Sequence, residues 1–280
     1  MVLDTDTYNE VDDQFALAYA LLSPETLNVQ AIYAAPFLNT RSTSAADGME
    51  KSHAEILRLL DVMNRDLPVF KGSTGFLPAS DTPVDSPAAR DLVQRALAMP
   101  DDELLYVVAI GAITNVASAL LMEPRIAHKI VIVWLGGNAP GYPSAKEFNL
   151  DQDKHAARVV FDCGAPLTLI PCFGVTSHLL ASVPELQAHI GGKNTLCDAL
   201  IELFAAYEHS HPNWSKEIWD IGAIAYLIQP DWMPSILMHS PLITDDAHWG
   251  HDETRHLIRI AYFCKRNMVF DDLYQKLSSL

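Results

Sequence analysis

Residues 4–13 read DTDTYNEVDD, which places Asp4, Asp6, Glu10, Asp12 and Asp13 within ten positions. Aspartates ahead of a helix are ordinary N-caps, favoured by the helix dipole, and Asp12 or Asp13 could fill that part. A cap needs one carboxylate, however, and several held together repel one another unless a cation compensates. The sharper reading is a hard-metal site. Calcium takes about six to eight oxygens, carboxylates and backbone carbonyls among them, and a site built mostly from protein oxygens favours it over magnesium. D-x-D after a first strand also opens phosphatases with an aspartyl nucleophile, with Asp4 attacking and Asp6 as acid–base. Tyr8 replaces the residue usual there, no downstream Lys or paired acidic motif can be placed, and the Asp12–Asp13 pair would go unexplained.

Elements must hold those carboxylates. MVL precedes the cluster and helix-like QFALAYALL follows it; NVQAIYAAP precedes GMEKSHAEILRLL, and LPVF precedes SPAARDLVQRALAM. ELLYVVAI then leads to TNVASALLM, KIVIVWLGG to DKHAARVVFDC, and PLTLIP closes the regular part. This alternation predicts an α/β fold, a single domain over 1–280 with an open, mostly parallel sheet and helices on both faces. From about residue 184 the chain reads as mainly helical, lying over the active site, and ends in a strand (HLIRIAYFC) and a short helix (DDLYQKL). MEKSHAEILRLL reads as a surface helix whose Glu50 and Lys51 are solvated.

In open α/β sheets ligands bind beyond the carboxyl ends of the strands. Polar clusters stand at those ends: PFLN with Asn39, GAITN after Ile110, GGN with Asn138, and KEFN with Glu147 and Asn149. Asp220 stands much later, between Trp219 and IGAIAYLI.

Composition sets further bounds. A formal charge of −16, from 19 basic against 35 acidic residues, argues against nucleic acid and anionic membranes as partners. Apolar residues at 49% are enough for a sizeable core. Cys163, Cys172, Cys197 and Cys264 lack C-x-x-C spacing and no signal peptide precedes the first strand, so reduced thiols in a soluble cytoplasmic protein are expected. No apolar run reaches the roughly 20 residues of a bilayer span.

With these residues in view, the chain resembles the nucleoside hydrolase family, the calcium-dependent inosine–uridine type N-ribohydrolases. DTDTYNEVDDQFAL looks like the family's N-terminal aspartate cluster, in the form with two extra residues before the Asp pair. IGAITNVASALLMEPRI, WLGGN…KEFNLDQDKHAARVVF and IWDIGAIAYLI are similar to three later family segments, in the right order. The resemblance implies a Rossmann-like nucleoside hydrolase fold and release of ribose and a free base from a nucleoside. It implies that Asp6 binds calcium and acts as general base toward a calcium-bound water. Asp13 would chelate bidentately, Asp220 would add a carboxylate, and Ile110 its backbone carbonyl. Asp12 would bind the ribose 2′-hydroxyl, with Asp4 behind the cluster. Asn138, Glu147 and Asn149 would hold the ribose, with help from Asn39. Cleavage of a ribosyl C–N bond passes through an oxocarbenium-like state, which carboxylates stabilise.

The base is the harder half. Where the inosine–uridine branch carries a His before the late Asp, this chain has Trp219, as purine-preferring relatives do, which suggests a purine stacked on Trp219. The alternative is a Trp219 packed in the core. Tyr33, Phe37, Tyr207 and Trp214 are candidates for a second stacking residue. His209 or His211, in a stretch where the family has a mobile lid, could protonate the leaving group. His178 is undecided, and His248 and His251 read as a solvated acidic loop despite their metal-like spacing. Rival readings are a hydrolase of another N- or O-riboside and a non-catalytic, calcium-dependent ribose or nucleoside binder. Related enzymes being dimers or tetramers, a homodimer or homotetramer in nucleoside salvage is expected.

Overall fold

The computed structural model describes residues 1–207 and 213–280. Its first half alternates strand and helix: β1 (Val2–Thr5), α1 (Asp12–Leu21), β2 (Ala31–Ala34), α2 (Ala45–Val62), β3 (Val69–Lys71), α3 (Pro87–Ala98), β4 (Leu105–Ala109) and α4 (Thr114–Met122). There follow β5 (Ile130–Leu135), α5 (Phe148–Gln152), α6 (Lys154–Asp162), β6 (Leu167–Ile170), β7 (Leu180–Ala181), α7 (Val183–Ile190) and α8 (Thr195–Ala205). The last part holds β8 (Lys216–Glu217), α9 (Ile221–Ile228), β9 (Ser235–His239), β10 (Leu242–Ile243), β11 (Trp249–Gly250), β12 (Leu257–Ala261) and α10 (Arg266–Leu277).

Eight strands form the main sheet in the order β3-β2-β1-β4-β5-β6-β12-β9, all parallel except β9 at its edge. Two short antiparallel ribbons, β7 with β8 and β10 with β11, lie outside it. Successive side chains leave a strand on opposite faces, so neighbours in β1 enter different cores. Leu3 joins Ile32, Val108 and Val133 beneath α1, α2 and α9, while Val2 joins Val107 and Ile132 beneath α3, α4 and α6. Every residue of α1 is buried, as expected of a helix whose polar face has been replaced by more packing.

The chain runs from β1 outward to β3 on one side, then returns to place β4 on the other side of β1. This reversal leaves a crevice beyond the carboxyl ends of β1 and β4, where such sheets bind ligands. The register sets Asp4 beside Ala109, so Asp6 and Ile110 emerge at the same place.

The C-terminal third ends in the expected strand from HLIRIAYFC, and departs from the mainly helical reading by one further strand of the sheet. SILMH forms β9 and HLIRIAYFC contributes β12, so the sheet extends past β6 instead of ending there. Ile236 and Leu237 on β9 are half exposed, which removes the buried alternation that would have marked a strand. Among the described residues no helix is long and apolar enough to cross a membrane.

Candidate active site

Asp6, Asp12, Asp13 and Asp220 converge at the crevice from three elements. Asp6 leaves β1 in a turn closed by Asn9 N–H donating to its carbonyl at 2.7 Å. Asp12 and Asp13 are the first residues of α1, and Asp220 immediately precedes α9. Neither helix uses an aspartate side chain as a cap: the residue before α1 is Val11, and the Asp220 carboxylate makes no capping bond. Capping therefore does not account for the cluster. Oxygens of Asp12, Asp13 and Asp220 lie within 4.8 Å of one another, a spacing that could hold a metal ion.

Electrostatics point the same way. Burial, and then the neighbouring carboxylates, push Asp6, Asp13 and Asp220 well above the ordinary carboxylate range. Burial and Glu10 raise Asp12 to about 7, against the opposing pull of Lys216. Both carboxylate oxygens of Asp6 are buried without a hydrogen-bond partner among the described residues. A buried carboxylate in that condition is costly unless a proton or a cation joins it. Space is tight as well, since a Cβ on Gly111 would stand 3.0 Å from the Asp6 carboxylate. A hard cation suits a donor set made of carboxylate oxygens.

Hydrogen bonds hold the surrounding shell. Thr5 Oγ1 donates to Asp13 at 2.5 Å. Asn115, from GAITN, donates to Asp4 Oδ1 at 2.7 Å, and its own Oδ1 accepts from Ser73 N–H and Oγ. Asp4 is fully buried, and burial raises it to about 7 against that Asn115 bond. A side chain so enclosed and bonded is not placed to attack a phosphorus, which removes the phosphatase reading.

Asp12, Asp13 and Asp220 open onto a cavity of about 500 Å³ that is lined also by Glu147, Phe148, Asn149, Cys172, Phe173 and Trp219; Asp6 does not line it. Glu147 caps α5, accepting N–H bonds from Gly137 at 2.7 Å, Asn149 at 2.9 Å and Leu150 at 3.2 Å. Asn149 donates to the carbonyls of Ile110 and Leu135, which ties it to the strand ends. Trp219 is half-buried, and its ring meets Phe173 edge-on at 5.3 Å between centroids. Phe173, 48% exposed, also touches Tyr142 at 6.2 Å.

The remaining candidates stand elsewhere. Asn138 does not line the cavity: its amide nitrogen donates to the Ser144 and Lys146 carbonyls and its oxygen accepts from Phe173 N–H. Asn39 likewise lies outside, donating to Asn9 Oδ1 at 2.6 Å, and it is Asn9 that lines the cavity. Tyr33 and Phe37 are fully buried, with Tyr33 Oη donating to Asp91, so neither can meet a base. Trp214 packs on Phe204 at 5.1 Å, and Tyr207 lies against Lys216 and Arg41. His178 Nδ1 contacts the Val175 carbonyl beside Phe263, while His248 and His251 are exposed and His248 pairs with Asp246. His209 and His211 lie outside the described residues.

Three residues of the site carry no signal in the reading above. Phe173 and Cys172 follow β6, where the strand-end rule would have found them. Lys216, only 12% exposed, forms an ion pair with Glu10 across 206 positions of sequence. Burial works against its ammonium, but Asp12 and Glu10 outweigh that and raise its pKa.

Residues 1–268 match the family model described as inosine-uridine preferring nucleoside hydrolase. The pyrimidine-specific ribonucleoside hydrolase RihA of Klebsiella pneumoniae is 30% identical over 262 residues, which span 82% of this chain and 80% of that protein. The non-specific ribonucleoside hydrolase RihC of Salmonella paratyphi B is 27% identical over 258 residues, 82% of this chain and 79% of that one. Among solved structures, a purine-preferring ribonucleoside hydrolase from Gardnerella vaginalis superposes with a TM-score of 0.80 at 22% identity, covering 99% of this chain and 98% of its own. A plant nucleoside hydrolase gives 0.79 at 21%, covering 100% and 98%. With a match that runs through every element of the site, the chain belongs to the inosine-uridine preferring nucleoside hydrolase family and is an N-ribohydrolase.

Proposed function

We propose that this enzyme hydrolyses purine ribonucleosides to ribose and free base with the help of a bound calcium ion. The observation that carries the cation is the Asp6 carboxylate, buried with both oxygens unpartnered beside Asp13 and Asp220. Asp6, Asp13 and Asp220, with the Ile110 carbonyl, would hold the ion. When bound, it supplies a Lewis acid that lowers the pKa of an attacking water. Asp6 accepts that water's proton as general base. Asp12 holds the 2′-hydroxyl, and Glu147 and Asn149 hold the far end of the sugar, fixing it over the acidic floor. The carboxylates below the ring stabilise the positive charge that develops at the anomeric carbon. Dependence on the 2′-hydroxyl makes deoxyribonucleosides poor substrates.

The purine preference rests on Trp219 and Phe173, whose edge-to-face pair offers a flat base an aromatic wall at the cavity. Cation binding, purine choice and a homodimeric or homotetrameric state are each accessible to measurement, the last by light scattering. The deciding experiment is reducing-sugar release from inosine, guanosine, adenosine, uridine and cytidine, with calcium and after chelation. Release that chelation abolishes, ranked purines first, is the expected result. Release ranked pyrimidines first would overturn the purine assignment. No release from protein loaded with calcium would redirect the reading to another riboside.

A further inference from the structure

The cavity is rich in acceptors, with Glu10, Asp12, Asp13, Glu147, Asp151 and Asp220 all lining it. Carboxylates suit the hydroxyls of a sugar, which donate. A nucleobase also presents ring nitrogens and carbonyl oxygens that accept, and these need donors. The amide side chains that line the cavity are Asn9 and Asn149. Asn149 commits its Nδ2 to the carbonyls of Ile110 at 3.3 Å and Leu135 at 3.1 Å. Asn9 remains.

The orientation of the Asn9 amide follows from its neighbours. A main-chain N–H can only donate, and that of Arg41 bonds Asn39 Oδ1 at 2.8 Å. The other end of the Asn39 amide is therefore its NH2 group, which donates to Asn9 Oδ1 at 2.6 Å. With its oxygen taken, Asn9 is left with a donor, Nδ2, that has no partner among the described residues. Asn9 is only 6% exposed, and its own N–H donates to the Asp6 carbonyl at 2.7 Å, so the turn that carries Asp6 also fixes Asn9.

We propose that Asn9 recognises the leaving base: its Nδ2 donates to an acceptor atom of the nucleobase, and Asn39, outside the cavity, is the positioning residue that sets this orientation. The inference rests on the nucleoside reading of the site. As the bond from the attacking water to the anomeric carbon forms, the C–N bond breaks and its electron pair goes to the base. The water's proton goes to Asp6, and balances the one the base gains on release. A neutral amide does not supply that proton. Its N–H bond to the base strengthens as negative charge gathers there, which favours the transition state over the bound substrate.

The test compares inosine with 4-nitrophenyl β-D-ribofuranoside, which has the same sugar but a leaving group stable as its anion. In Asn9→Leu, the ratio of kcat/KM for inosine over the nitrophenyl riboside is expected to fall about a hundredfold, the usual effect of removing one donor to developing charge. Asn39→Asp gives a second reading with residue 9 untouched, and stands in should the leucine variant fail to fold. It offers Asn9 an acceptor in place of a donor, turning the amide over so that its oxygen faces the base, and the ratio should fall again. A residue that supports the loop or holds the sugar would lower both activities alike; that result, or an unchanged ratio, would overturn the proposal. A wild-type enzyme that cleaves the nitrophenyl riboside and no nucleoside would remove the nucleoside reading first, and this proposal with it.

Discussion

Asp6 shows how a site residue can work against the stability of the fold that carries it. Among the described residues its carboxylate is buried without a hydrogen-bond partner, with other acids around it. Asp6→Asn keeps the shape and removes the charge. Turnover should fall by about 10²- to 10⁴-fold, the usual worth of a general base, while the chelated protein at pH 8 should melt at a higher temperature than wild type. Initial rates and thermal unfolding of the same sample check both. Phe173 presents the reverse case, a large apolar ring left 48% exposed at the cavity. Removing an aromatic contact costs about 0.5–1.5 kcal/mol, so Phe173→Ala should lower kcat/KM for purine ribosides up to about tenfold and affect pyrimidine ribosides less. At this scale the acids were legible in the sequence because DTDTYNEVDD gathers them locally. The Lys216–Glu10 pair was not, because only folding brings positions 10 and 216 together.

At the scale of elements, the site is a product of strand ends. β1 and β4 fix Asp6 and the Ile110 carbonyl by register, and the two helices that start at the crevice supply Asp12, Asp13 and Asp220. The strands of the parallel core read directly as apolar runs. β9 did not, since an edge strand with exposed Ile236 and Leu237 lacks the buried pattern that identifies the others. Asn138 and Asn39 stand outside the cavity for a related reason: a polar residue after a strand can bond to a loop, and the loops at 144–146 and 9 take up their amides. Asn115 is the same kind of residue, joining β1, the 72–73 loop and α4 through Asp4 and Ser73. Asn115→Leu leaves a buried carboxylate and a buried N–H without partners, and should destabilise the protein by about 1–3 kcal/mol. Denaturant unfolding measures it, and loss of stability should exceed any direct effect on substrate affinity.

For the whole molecule, the acidic floor ties stability to pH and to the ion. Asp4 and Asp12 are raised to about 7, and Asp6, Asp13 and Asp220 are raised further by burial and mutual repulsion. Between the ordinary carboxylate range and those raised values, the folded protein binds more protons than the unfolded chain, so stability falls as pH rises. Without calcium, the melting temperature should therefore decline from pH 5 to pH 8. A cation that replaces those protons reverses the trend, adding about 2.7 kcal/mol at a concentration 100 times its Kd, and its effect should be larger at pH 8 than at pH 5. Melting curves at the two pH values, with calcium and with chelator, decide it; a chelated protein more stable at pH 8 would contradict the account.

Asp12, Asp13 and Asp220 line the same cavity as Trp219 and Phe173. Asp13 is 1% exposed and Asp220 3%, and the cavity they line is the space proposed for a nucleoside. An ion held by Asp13 and Asp220 would face the volume proposed for its substrate. Loading is then expected to be ordered, ion before nucleoside, with exchange favoured between turnovers. A saturating nucleoside should slow inactivation by a chelator in proportion to the fraction of enzyme it occupies, so the substrate acts as the stopper of the vessel that prepares it.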